Sequence, residues 1–260
     1  MDFSKLLFRS SGNGHLMTDP KSKTDKEAGN LSEGAKTHLI DVYVQNKYGR
    51  QTDISNKYTL KGLQVEEDSI TLYSRVKKKF FKKNELHLSN EFIKGTPDLY
   101  TGLEISAADE VIDIKSSWDI YTFFRVHTKG INSLYYWQLQ SYMALTGAKK
   151  ATLAYCLVNT PEAMLIDEKR RLFYKMNVPT MENADYIEAC EELEKAMTFD
   201  DMPINERVIE FKVERCDSDI KLMYSKIQKS REYLNQFDRS LSPAIMFAEY
   251  IPNDKITLVT

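Results

Sequence analysis

The pattern of apolar and polar positions divides the chain unevenly. Residues 1–36 are polar and rich in Gly, Ser and Lys, with GNG at 12–14, and read as loop-rich structure rather than core. Farther along, Leu63, Ile70, Tyr73 and Val76 recur at helical spacing, which predicts a helix over 63–76. Two short strand-like runs follow: residues 91–94 enter the turn Gly95-Thr96-Pro97 and residues 98–103 leave it. Val111-Ile112-Asp113-Ile114-Lys115 is β-branched and alternating, the signature of a buried strand. Residues 131–146 (INSLYYWQLQSYMALT) form an aromatic-rich helix that Gly147 is placed to cap. ATLAYCLV at 151–158 is the next buried strand. Charged amphipathic helices are expected at 181–198 and 217–237, with a strand-like VIEFKV at 208–213 between them.

This order of helix, strands, helix, strand and helices predicts an α/β fold, a central mixed sheet flanked by helices. No repeat, heptad run or linker interrupts it. A single domain is therefore expected over 1–260, with its core motifs at about 60–160 and a helical elaboration at about 165–260. A hydrophobic fraction of 42% is enough for a substantial core. The net charge of −2 means that any nucleic-acid surface must be a local basic strip assisted by metal. Cys156, Cys190 and Cys216 are widely spaced, with no CxxC, which argues against a disulfide scaffold or zinc ribbon and fits a reducing cytoplasm. The N-terminus lacks a signal-peptide pattern, and no apolar run approaches the roughly 18 residues that span a bilayer, so no membrane association is expected.

The chemistry concentrates in two aspartates and a lysine. Residues two apart on a strand share a face, so Asp113 and Lys115 project together while Ile112 and Ile114 turn to the opposite side. Asp98, which follows the Thr-Pro turn, is placed to meet them from the neighbouring strand. Mg²⁺ is a hard cation, usually held by one or two carboxylates plus phosphate oxygens and water. Two such ions about 3.5–4 Å apart activate water and stabilise a leaving oxygen. A lysine beside them orients or deprotonates the attacking water and stabilises developing charge. A further carboxylate is available near the start of the 63–76 helix; Glu66, Glu67 and Asp68 are neighbours there, and helical phase does not choose among them.

Four local patterns in order are similar to those of the PD-(D/E)XK nuclease superfamily, specifically its phage lambda exonuclease and YqaJ-like viral recombinase branch. GLQVE at 62–66 resembles the family's Gly-x-x-x-Glu helix, and GTPDLY at 95–100 its Ser/Thr-Pro-Asp-Gly turn. VIDIKSS at 111–117 resembles its (E/D)-x-Lys strand, and YYWQLQSYMALTG at 135–147 its glutamine helix. FRSSGNGHLMTDP at 8–20 is weakly similar to the segment that contacts the 5′ end of DNA. The likeness covers residues 8 to about 165. Two departures stand out: Asp113 occupies a position where the family often has Glu, and Leu99 one where it usually has Gly.

The resemblance implies a restriction-endonuclease-like core with Asp98 and Asp113 as the main metal ligands and Lys115 as the catalytic lysine. It implies Glu66 as an additional metal-side carboxylate, Gln138 as the helix glutamine near the scissile phosphate, and the Ile114 carbonyl as a further ligand. Arg9, Ser10 and Ser11 become candidate phosphate contacts. The implied cofactor is Mg²⁺ or Mn²⁺, as two ions. The implied activity is 5′→3′ resection of linear double-stranded DNA with free ends, for phage-type recombination. The implied partners are a single-strand annealing protein and further copies of the chain in a ring. A structure- or sequence-specific endonuclease on the same core and a catalytically idle DNA-binding member are the alternatives. The related iron–sulfur nucleases need four cysteines flanking the core; three in total, none before Cys156, exclude that cluster.

Other features read as structural. His15, His38, His87 and His127 lack ligand spacing, and Trp137, Tyr135, Tyr136 and Tyr142 are expected to pack. The basic run from Lys77 to Lys83 reads as a solvated turn, and Trp118 as an open candidate for DNA contact.

Overall fold

In a computed structural model, residues 1–51, 56–241, 248–251 and 255–258 are described, the last two segments as backbone only. The N-terminal region comprises β1 (Phe8–Arg9), α1 (Asn13–Leu16), α2 (Lys23–Glu27) and α3 (Glu33–Tyr48). Then come α4 (Lys57–Gln64), α5 (Glu66–Val76), β2 (Leu88–Ser89), β3 (Ile93–Gly95), β4 (Leu99–Thr101) and β5 (Glu110–Ser116). The helices α6 (Ile120–Lys129) and α7 (Ser133–Thr146) lead to β6 (Lys150–Cys156). The chain continues through α8 (Glu162–Met176), α9 (Ala184–Met197), β7 (Val208–Glu214), α10 (Asp217–Ser240) and the antiparallel pair β8 (Ala248–Ile251) and β9 (Lys255–Leu258).

The central sheet has the order β4-β5-β6-β7 and is mixed: β5 and β6 are parallel, and the two outer strands run antiparallel to their neighbours. Parallel strands need a crossover, here supplied by α6 and α7. Both faces of the parallel pair are covered, which explains why Val111 to Ile114 and Ala151 to Cys156 are buried without a break. Val111, Leu153 and Tyr155 pack on one face with Leu139 and Met143 of α7. Ile112, Ile114 and Ala154 pack on the other with Ile70 and Tyr73 of α5. The expected central mixed sheet flanked by helices is thus observed.

Local chemistry sets the helix ends. The Asn132 side chain accepts from the Leu134 N–H at the start of α7, and Gly147 ends that helix at φ +79°, a conformation glycine adopts without strain. Asp119 and Thr122 form a reciprocal capping box on α6.

The structure corrects four expectations. The region 1–36 is not loop apart from the core: Phe3, Phe8 and Leu16 are buried with Leu39 and Tyr43 of α3 and Ile220, Met223 and Ile227 of α10. The signal was hidden because its inward polar groups are satisfied over long range, as where the Asn13 amide donates to Ser141 Oγ at 2.9 Å. The helix expected over 63–76 is divided at Val65 (φ −109°, ψ 15°), which ends α4 and begins α5 and is itself buried with Ile70 and Leu72. The runs on either side of Gly95-Thr96-Pro97 join different sheets: β3 lies between β1 and β2, whereas β4 is an edge of the central sheet. Finally, the strand expected at 208–213 is present as β7, and it belongs to the central sheet rather than to a separate helical elaboration, through seven paired positions with β6.

Candidate active site

The β4–β5 register brings the acidic groups together. Leu99 pairs with Ile112, so one step back along the antiparallel ladder Asp98 stands opposite Asp113. Directly opposed like charges repel. The Asp98 carboxylate is anchored by the Ile114 N–H, which donates to Oδ2 at 2.7 Å. Burial, then the charge of Asp113, pushes the Asp98 carboxyl up to about 7, against the pull of Lys115 and the Ile114 hydrogen bond.

Asp113 is 1% exposed. The Gln138 amide on α7 donates to its Oδ1 at 3.1 Å and to the Tyr142 hydroxyl at 2.9 Å. Its Oδ2 has Lys115 Nζ at 2.6 Å as an ion partner but accepts no hydrogen bond of normal geometry. Lys115, on the same face of β5, keeps 23% of its side chain accessible, and its Nζ lies 4.9 Å from the Tyr135 ring centroid. Burial pulls the Lys115 amine down, but the carboxylates of Asp113 and Asp98 outweigh it and hold the amine above the ordinary lysine range. The ammonium therefore acts as the counter-cation of the aspartate pair.

The predicted constellation of Asp98, Asp113, Lys115 and Gln138 is brought to one place. Glu66, the first residue of α5, is oriented differently: its carboxylate accepts from Lys83 Nζ at 2.6 Å. Among the described residues no three His, Cys, Asp or Glu side chains close around a metal-sized site. Two opposed buried carboxylates, balanced at present by the Lys115 ammonium, still fit a hard divalent cation, which takes only one or two carboxylates and completes its shell with water and phosphate.

Arg9 and Ser11 line a cavity of about 670 Å³ together with His15, His38, Arg50 and Lys94. The imidazoles of His15 and His38 stack there at 4.7 Å. Ser10, expected beside Arg9 and Ser11 as a phosphate contact, is instead 1% exposed, and its hydroxyl donates to the Lys94 carbonyl at 3.1 Å. Gly95 explains this closeness: a Cβ there would lie 2.5 Å from Ser10 Oγ and 2.9 Å from Tyr142 Cε1. The link from this cavity to the carboxylates runs through β3, where Lys94 lines the cavity and the next residue, Gly95, lies against Tyr142 of the site.

Tyr142, expected to pack, is buried and also hydrogen-bonded within the site. Its place one helical turn after Gln138 was the available signal. In the basic run, Lys77 pairs with Glu210 at 3.0 Å and Lys83 with Glu66, so at least these two lysines are already neutralised.

No protein-family model and no curated protein matches the chain. Solved structures do. A phage-related exonuclease from Haemophilus somnus 129PT superposes with a TM-score of 0.71 at 26% identity, covering 92% of this chain and 97% of that one. The LHK-Exo structure in complex with dAMP gives 0.58 at 16% identity, covering 90% and 91%. The alkaline exonuclease LHK-Exo from Laribacter hongkongensis gives 0.57 at 14%, covering 92% and 96%. At those identities the two LHK-Exo structures speak for the fold alone. All three belong to the lambda exonuclease/YqaJ-like branch of the PD-(D/E)XK fold, the branch that the four sequence motifs resemble.

Proposed function

We propose that the chain is a metal-dependent DNA exonuclease that shortens linear duplexes from the 5′ end. The observation that carries this reading is the convergence of Asp98, Asp113, Lys115 and Gln138, with Lys115 Nζ 2.6 Å from Asp113 Oδ2 and Gln138 on Oδ1. The exonuclease neighbours support it, one of them holding a nucleotide, dAMP.

In this reading Asp98 and Asp113 hold Mg²⁺ or Mn²⁺, the Ile114 main-chain carbonyl is a third donor, and Glu66, released from Lys83, serves a second ion. Bound there, a metal would neutralise the phosphate and acidify the attacking water. Gln138 fixes the orientation of Asp113 through Oδ1, and Oδ2, now 2.6 Å from Lys115 Nζ, would share its charge between the ammonium and the metal. Lys115 keeps its proton and faces the scissile phosphate, where a fixed cation stabilises charge that grows in the transition state. Arg9 and Ser11 receive the 5′ end in the cavity they line. Resection of this kind would deliver a single strand to an annealing protein in recombination, and a ring of copies would enclose the duplex.

The test uses linear duplexes labelled at either the 5′ or the 3′ end, together with a covalently closed circle, each with Mg²⁺ and with EDTA. Early release of the 5′ label, with Mg²⁺ and from linear DNA only, is expected. Early release of the 3′ label overturns the polarity. Cutting of the closed circle makes the chain an endonuclease, and no cleavage of any substrate with Mg²⁺ removes the nuclease reading.

A further inference from the structure

Beside the carboxylates lies a pair of aromatic rings for which the reading above has no use. Trp118 follows Lys115 by three residues, which keeps their Cα atoms within roughly 10 Å. Its ring meets Tyr58 of α4 edge to face, with centroids 5.0 Å apart and planes at 77°. Asn56 caps α4 through the N–H groups of Tyr58 and Thr59, which fixes where the Tyr58 ring leaves the helix.

Trp118 is the half-buried member and is held firmly. Lys61 is 1% exposed and spends its amine on the Trp118 carbonyl at 2.7 Å. Burial, opposed by Asp119, pulls that amine down to about 8. Lys57 Nζ lies 4.7 Å from the Trp118 centroid and pairs with Glu168 at 2.6 Å. Tyr58, by contrast, is 56% exposed. A buried tyrosine is ordinary core; an exposed one, braced by an anchored tryptophan three residues past Lys115 and with Lys57 Nζ 5.6 Å from its ring centroid, offers an aromatic surface and a cation to a nucleotide. Stacking on such a face tolerates any sequence, as an enzyme that digests DNA regardless of sequence requires.

We propose that Tyr58, braced by Trp118, is a base-stacking subsite that grips the strand within the first few nucleotides of the scissile phosphate. The proposal rests on the nuclease reading for its substrate, a DNA strand. Stacked bases advance by about 3.4 Å each, so the roughly 10 Å between the Lys115 and Trp118 Cα atoms corresponds to about three bases.

Two measurements test it. In the first, the cleaved strand carries an abasic nucleotide at one of its first few positions in turn. For the unmodified protein kcat/KM should fall about tenfold at one position, within the range expected of a lost base–aromatic stack. Tyr58→Ala should lose about tenfold on the intact strand and nothing more at that position, whereas Tyr58→Phe should behave as the parent. Multiplying losses, or undiminished activity in Tyr58→Ala, overturns the subsite. In the second, 2-aminopurine placed near the strand end reports binding in EDTA, where no cleavage is needed. The parent should quench it and Tyr58→Ala should not, with unchanged thermal melts showing that the exposed substitution leaves folding intact. Absence of cleavage by the parent removes the nuclease reading alone; equal quenching by parent and variant removes the subsite alone.

Discussion

Asp98 and Asp113 face each other across the β4–β5 ladder, and the protein meets their repulsion by keeping a proton on Asp98 up to about pH 7. An unfolded aspartate titrates near 3.9, so between about pH 4 and pH 7 the folded chain binds more protons than the unfolded one. A raised acid pKa has a definite sign: stability falls as pH rises through that window. The melting temperature in EDTA should drop between pH 5 and pH 8, and Asp98→Asn should flatten the drop. Mg²⁺ should raise the melting temperature more at pH 8 than at pH 5, because at pH 8 it displaces no proton. An equal drop in Asp98→Asn would show that other groups govern the pH dependence. Lys115 carries the complementary prediction. Lys115→Ala should cleave at least about a hundredfold more slowly in single turnover while still binding DNA, the low end of the loss on removing one fixed group that stabilises transition-state charge. Near-normal cleavage would remove the lysine from the mechanism. The two aspartates and the lysine were legible in the sequence because a strand's period of two fixes their common face. The present partner of Glu66 was not, since Lys83 reaches it from 17 residues away.

At the scale of elements, two glycines decide how closely the N-terminal segment approaches the catalytic helix. A Cβ on Gly14 would lie 2.6 Å from the Cα of Leu134, which is backbone of α7 and cannot swing aside. Gly14→Ala should therefore destabilise the protein by about 1–3 kcal/mol, the usual range for overpacking. Activity measured well below its melting transition should survive. At Gly95 the obstacles are the Ser10 hydroxyl and the Tyr142 ring, the second tied to Gln138 and through it to Asp113. Gly95→Ala should lower both the denaturant midpoint and the single-turnover rate. If Gly95→Ala lost stability with its rate intact, Tyr142 would not transmit to the site. The elements that could be read from sequence, β5, α7, β6, α9, β7 and α10, are those whose apolar period is local. The tie between α1 and α7 escaped reading because four residues carry no measurable period, and their fit depends on a glycine whose neighbour is 120 positions away. Likewise, α3 buries Ala35, Leu39 and Tyr43 on one face, but the exposed Ile40 and the surrounding polar residues blur the stripe.

For the molecule as a whole, a net charge of −2 provides no long-range attraction to DNA, so affinity must come from a few placed cations. Arg9, Arg50 and Lys94, which line one cavity, are such cations. Lys77 is not equivalent to them, because Glu210 already neutralises it at 3.0 Å. Each phosphate contact releases bound counterions, so the logarithm of affinity falls with the logarithm of salt concentration in proportion to the number of contacts. Arg9→Ala should weaken binding to duplex ends by a similar factor whatever their sequence, and should reduce the salt slope by about one. Lys77→Ala should leave the slope unchanged. Salt titrations of a labelled duplex in EDTA measure both. A slope untouched by Arg9→Ala would move the DNA end away from the cavity, whereas a slope reduced by Lys77→Ala would mean that DNA displaces Glu210 and that the basic turn belongs to the binding surface.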